Sequence, residues 1–106
     1  MSQEWVEIGK ADKFKENKAK LVKSKQLGKV VVVLQEGTYN ILSGICTHED
    51  YDLDGAPIQD GQITCFLHMS SFDLKSGEVL SPPAEENLTV YDSKVENSIL
   101  YAKKKE

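Results

Sequence analysis

Residues 44–83 read GICTHEDYDLDGAPIQDGQITCFLHMSSFDLKSGEVLSPP. Two short pairs stand inside them, Cys46-Thr47-His48 and Cys65-Phe66-Leu67-His68, with sixteen residues between His48 and Cys65. They contain both cysteines and both histidines of the 106-residue chain. Each pair offers one thiolate and one imidazole, so the chain's chemistry is read as that of a bound metal. The common zinc finger with two cysteines and two histidines keeps its cysteines together and its histidines together. Here each loop supplies one of each, which lets the thiolates turn to one side and the imidazoles to the other. That division suits two irons bridged by sulfide. A single tetrahedral zinc uses the same four donors and stays open at this point.

The spacing C-x-H, sixteen residues, C-x-x-H resembles that of the Rieske [2Fe-2S] family, in which two histidines replace two cysteines on one iron. The resemblance extends over residues 44–83: His68-x-x-x-Phe72-Asp73 begins at the last ligand position, and Ser76-Gly77 and Pro82-Pro83 follow as a turn and a loop. In length the chain is similar to a free Rieske-type ferredoxin. The resemblance implies one [2Fe-2S] cluster, with Cys46, His48, Cys65 and His68 as its ligands. It also implies an all-β Rieske fold, in which an antiparallel β-sandwich base (residues 1–43 and 84–102) carries a small cluster-binding subdomain (about 44–83). The imidazoles are expected at the tip, and Pro82 and Pro83 in a third loop covering the cluster.

The strand pattern read from the residues agrees with an all-β domain. Residues 29–34, KVVVVL, are a β-branched run suited to a strand buried on both faces. Glu36-Gly37 marks a turn into TYNILSG (38–44), and Asp54-Gly55, Asp60-Gly61 and Ser76-Gly77 mark three more. Between and beyond them GQITCF, SFDL, EVL, LTVY and SILYA read as strands, with WVEI and AKLV opening the chain. Residues 11–17, ADKFKEN, are the only helical candidate, and KKKE (103–106) reads as a frayed tail.

Size and charge narrow the function. One domain is expected from the length. No apolar run is long enough for a membrane helix, and MSQEWVEIGKADKF lacks the apolar core of a secretory signal; a cytoplasmic monomer is expected. Residues 10–29 carry eight lysines against Asp12 and Glu16, a net of +6, while residues 45–92 carry ten acids against Lys75, a net of −9, within a chain of net −4. Nucleic acid is not expected as a partner, because arginine is absent and there is no aromatic-interleaved basic motif, Phe14 alone standing among the lysines of 10–29. The acidic half points to a partner with a basic docking face.

High-potential Rieske proteins carry a disulfide between the cluster loops and Ser and Tyr hydroxyls near the cluster. Matched residue by residue, the disulfide positions fall on Leu67 and near Tyr51, the Ser on Ser70 and the Tyr on Phe72. The chain keeps only the Ser, so the resemblance implies a potential in the lower half of a family range of about −150 to +300 mV. With both histidines committed, none remains for an oxygen-activating facial triad, and no G-x-G-x-x-G offers a nicotinamide or flavin site. The expected function is one-electron carriage from a reductase to a terminal oxidoreductase such as an oxygenase. The alternative is a small Rieske subunit bound within a multi-subunit oxidoreductase.

Overall fold

In the computed structural model, residues 5–44, 52–65, 70–81 and 86–104 are described. They build nine strands: β1 (Val6–Lys10), β2 (Ala19–Ser24), β3 (Gly28–Gln35), β4 (Thr38–Ser43), β5 (Ile58–Gln59), β6 (Gln62–Thr64), β7 (Ser71–Asp73), β8 (Val90–Glu96) and β9 (Ile99–Lys104). Every strand pairing is antiparallel. Six strands form one sheet in the order β1-β9-β8-β4-β3-β2, and β5-β6-β7 form a second, smaller sheet. The fold is therefore all-β and antiparallel, as the sequence pattern indicates.

The valine run lies at the centre of the larger sheet. Val30, Val31, Val32 and Val33 are each fully buried, as a β-branched run covered on both faces requires. Alternation divides them between two apolar clusters. Val31 and Val33 join Leu42, Leu53, Ala56, Ile63, Cys65, Phe72, Leu74 and Leu88, which seals the smaller sheet onto one face of the larger. Val30 and Val32 join Phe14, Ile41, Tyr91, Leu100 and Ala102 on the other face. Ile8 of edge strand β1 and Val22 of the opposite edge strand β2 both pack on this second cluster, so the larger sheet curls over itself. Each fully buried aliphatic or Phe side chain contributes roughly 1.5–3 kcal/mol relative to exposure.

Tight turns set the register. Glu36-Gly37 and Asp60-Gly61 have positive φ at both residues, the geometry that matches the right-handed twist of a two-residue hairpin. Asn97-Ser98 joins β8 to β9 in the same way, at φ 53 and 65.

Several expectations are corrected. The helical reading of residues 11–17 shrinks to a single 3-10 turn, Ala11–Lys13, because Phe14 leaves it to pack beneath the sheet. The EVL segment is not a strand: Val79 makes a single antiparallel bridge to Phe72, closed by the Asp73 N–H to the Glu78 carbonyl at 2.9 Å and the Leu80 N–H to the Ser71 carbonyl at 2.7 Å. The strand expected at LTVY begins only at Val90 and runs on to Glu96, where β9 provides a continuous partner. Lys103 and Lys104, read as a frayed tail, pair with Asp92 and Tyr91. The two-residue strand Ile58–Gln59 went unread, being too short to show a period.

Candidate metal centre

Of the ligand candidates, Cys65 is among the described residues, whereas Cys46, His48 and His68 lie outside them. Pro82 and Pro83, the expected covering loop, also lie outside, as do Tyr51, Leu67, Glu49 and Asp50. What is described is the framework on which those segments begin and end.

Three sets of hydrogen bonds build that framework. Strand β4 ends at Ser43, and the N–H of the next residue, Gly44, donates to the Lys29 carbonyl at 2.9 Å while the Gly44 carbonyl accepts the Leu53 N–H at 2.9 Å. The segment holding Cys46 and His48 thus leaves and returns at one point on the larger sheet. The space beside Gly44 explains the residue: a Cβ there would press on Leu21 Cδ1 and lie 3.1 Å from the Val30 carbonyl carbon. The second segment is closed by the Cys65 N–H, which donates to the Ser70 carbonyl at 2.8 Å, immediately beyond the Thr64–Ser71 pair of β6 and β7. The third is held by Ser71, whose N–H donates to Ser81 Oγ at 2.9 Å while its carbonyl accepts the Leu80 N–H at 2.7 Å. Ser71 Oγ also lies 3.2 Å from Thr64 Oγ1. Ser71 and Ser81 were not singled out in the sequence; the one local signal is the position of Ser81 directly before Pro82-Pro83.

Cys65 is 1% exposed and packs in the apolar cluster with Leu53, Ile63, Phe72, Leu74 and Leu88. A thiolate in such surroundings is disfavoured unless a cation compensates it. Ser70 is fully buried beside it in the chain fold, so it is not a solvated loop residue. Phe72 is fully buried, opposite Ile63 in the β6-β7 ladder.

The turn after β7 is held by Asp73. Its Oδ2 accepts the Ser76 N–H at 2.8 Å, the Ser76 hydroxyl at 3.0 Å and the Lys75 N–H at 3.1 Å. These bonds to the ionised carboxylate, the Ser76 N–H foremost, hold Asp73 below the ordinary aspartate pKa against a partial opposing effect of burial. Gly77 completes the turn at φ +75, and its carbonyl accepts the Leu88 N–H at 2.7 Å, tying the smaller sheet to the strand entering β8.

Of the acids that follow His48 closely in sequence, Asp52 and Asp54 are among the described residues, and both are engaged. Asp52 Oδ1 lies 3.2 Å from Lys29 Nζ, and Asp54 Oδ1 accepts the Leu21 N–H at 2.8 Å. Both carboxylates fasten the returning chain to β2 and β3, so their charge is partly offset there.

A family model described as the Rieske [2Fe-2S] domain matches residues 4–92. The chain is 35% identical over 69 residues to the biphenyl dioxygenase ferredoxin subunit of Pseudomonas sp. (strain KKS102), a match covering 64% of this chain and 63% of that relative. It is 28% identical over 98 residues to the ferredoxin component of the naphthalene 1,2-dioxygenase/salicylate 5-hydroxylase systems of Ralstonia sp, covering 92% of each. The solved Sphingomonas yanoikuyae B1 ferredoxin shares the fold with a TM-score of 0.88 at 18% identity, over 96% of this chain and all of that one. The donor set fits the group that this family binds: two thiols and two imidazoles are present, and Cys65 is placed in an apolar setting at a strand end.

Proposed function

This chain belongs to the Rieske [2Fe-2S] domain family, and from that premise we propose that it is a one-electron carrier serving an oxygenase system. The observation that carries the reading is the likeness to ferredoxin components of dioxygenases, joined to a sequence whose two cysteines and two histidines are all ligand candidates. Its partners on this reading are a reductase and a terminal oxygenase, and it works as a cytoplasmic monomer. Among the described residues, no helix is long and apolar enough to cross a membrane.

Cys46 and Cys65 would hold one iron, and His48 and His68 the other. When bound, the cluster supplies a single reversible electron at a potential set by hydrogen bonds, charge and solvent exposure. The chain's own residues do the positioning. Gly44 and Leu53 pin the first ligand segment, Cys65 and Ser70 the second, and Ser71 and Ser81 the approach to Pro82 and Pro83. We place the cluster-binding subdomain at about 44–83, on a base of 1–43 and 84–102 within one domain. The separate β5-β6-β7 sheet and its apolar seal onto the larger sheet support that division. Ser70, buried next to the Cys65 bond, is the candidate hydroxyl donor that tunes the potential, and Phe72 occupies the matched Tyr position without a hydroxyl.

Iron and acid-labile sulfide analysis tests the reading: two of each per chain are expected, in a red-brown protein whose spectrum is lost in His48→Ala or His68→Ala. Stoichiometric zinc from iron-replete cells would overturn it. Size-exclusion chromatography of natively expressed protein separates the free carrier from a bound subunit, since a carrier elutes alone. Ser70→Ala should lower the midpoint potential by several tens of millivolts if one bond of ~1 kcal/mol is lost; an unchanged potential removes Ser70 from the tuning role.

A further inference from the structure

The lysine-rich stretch folds into a shaped surface. Two adjoining hollows of about 280 and 270 Å³ share Lys18, Ala19 and Gly55. The first is lined further by Lys13, Lys15, Lys20 and Asp54, and the second by Asn17, Ala56, Pro57 and Ile58. Together they form a groove with cationic side chains at one end and an apolar floor at the other. Cys65, the one metal-ligand candidate among the described residues, does not line it.

Its walls are anchored. Asn17 sits at φ 59, and its N–H donates to the Leu34 carbonyl at 2.7 Å. Glu16, the one acid between Lys13 and Lys20, turns its carboxylate away to accept the Glu36 N–H. On the other side, Gly55 N–H donates to the Ala19 carbonyl at 2.9 Å. Asp54, the one carboxylate in the lining, is occupied by the Leu21 N–H. The four lysines are all exposed. Glu16 and Asp54 are thus each held in a backbone bond while the four lysines are left presented. A cluster of like charges beside a low-dielectric floor concentrates a positive potential there.

We propose that this groove docks an extended acidic segment of a partner protein, one that carries an apolar side chain for the Ala56-Pro57-Ile58 floor. Charge complementarity identifies the occupant, and the apolar floor selects a peptide over a bare anion. A concave groove admits a side chain or strand, whereas a flat bilayer reaches only projecting residues. The net charge of −4 opposes long anionic polymers, which contact more of the surface than one groove. A partner held here meets lysine side chains at one end and apolar ones at the other.

The test uses the cluster-loaded protein and a fluorescein-labelled glutamate-rich peptide with a central Leu, read by anisotropy. Binding should weaken as salt rises. Lys15→Gln with Lys18→Gln should weaken it roughly tenfold, whereas Lys23→Gln with Lys25→Gln, the same charge change outside the groove, should change it less than about twofold. Replacing the peptide's Leu by Ser should also weaken it. Equal loss in both double variants would reduce the effect to net charge and overturn the groove. Tighter binding of phosphatidylserine vesicles than of the peptide, with the same lysine dependence, would overturn the protein partner in favour of a membrane surface. An unchanged visible spectrum in each variant confirms that the fold is retained.

Discussion

Gly77→Ala should be among the most damaging single-methyl changes in this chain. Gly77 is held at φ +75, a region where a side chain costs roughly 1–2 kcal/mol. The added Cβ would also overlap the Leu88 carbonyl oxygen and lie 2.7 Å from Val90 Cγ2. The oxygen belongs to backbone that accepts no easy displacement, because Leu88 is itself bonded to Gly77 through its N–H. Overpacking of this kind costs about 1–3 kcal/mol. Against these stands a gain of about 0.4–1 kcal/mol from the stiffer unfolded chain. The net loss centres on about 3 kcal/mol, which in a domain of this size lowers the unfolding midpoint by roughly 12–24 °C. Gly55 supplies the control. It has φ +74, yet a Cβ there meets nothing within 4 Å, so Gly55→Ala should carry the strain without the overlap and lose only about 1 kcal/mol. Thermal melts of both variants with the cluster bound, at one scan rate, give the comparison. If Gly77→Ala melts within a few degrees of Gly55→Ala, the close approach of Leu88 does not constrain the turn and the reasoning fails.

Asp54→Ala should destabilise by about 1 kcal/mol through the lost Leu21 bond, and Asp52→Ala by less than about 1 kcal/mol because its pair with Lys29 is exposed; urea midpoints rank the two. Burial raises the pKa of Tyr91 above the usual 10.0, so stability present below the unfolded tyrosine value should fall as pH rises through about 10 and beyond. Tyr91→Phe should flatten that alkaline decline, and an identical decline in both proteins would remove Tyr91 from it. Asp73 has the opposite sign: its lowered pKa contributes stability above about pH 4 that is lost as pH falls through the folded value. Denaturation at a series of acidic pH values should therefore show Asp73→Asn weaker than the wild type at neutrality and converging with it in acid.

The family of this chain was legible in its residues. Cys46-Thr47-His48 and Cys65-Phe66-Leu67-His68 name a donor set because ligand type and spacing are properties of short segments. The valine run 30–33 and the Glu36-Gly37, Asp60-Gly61 and Ser76-Gly77 turns could be read for the same reason: pleat and turn geometry act over a few residues. Strands too short for a period, such as Ile58–Gln59, and the continuation of β8 to Glu96 could not be read so, because a partner strand defines them. Only the tertiary structure decided how the charges are used. Asp54 meets Leu21 across 33 positions and Asp52 meets Lys29 across 23, so acids that read in sequence as part of a net charge serve as fasteners. The lysines look like a solvated run in sequence. They become the wall of a groove because Asn17 is tied to Leu34 and Gly55 to Ala19, bonds between distant segments that no local pattern encodes.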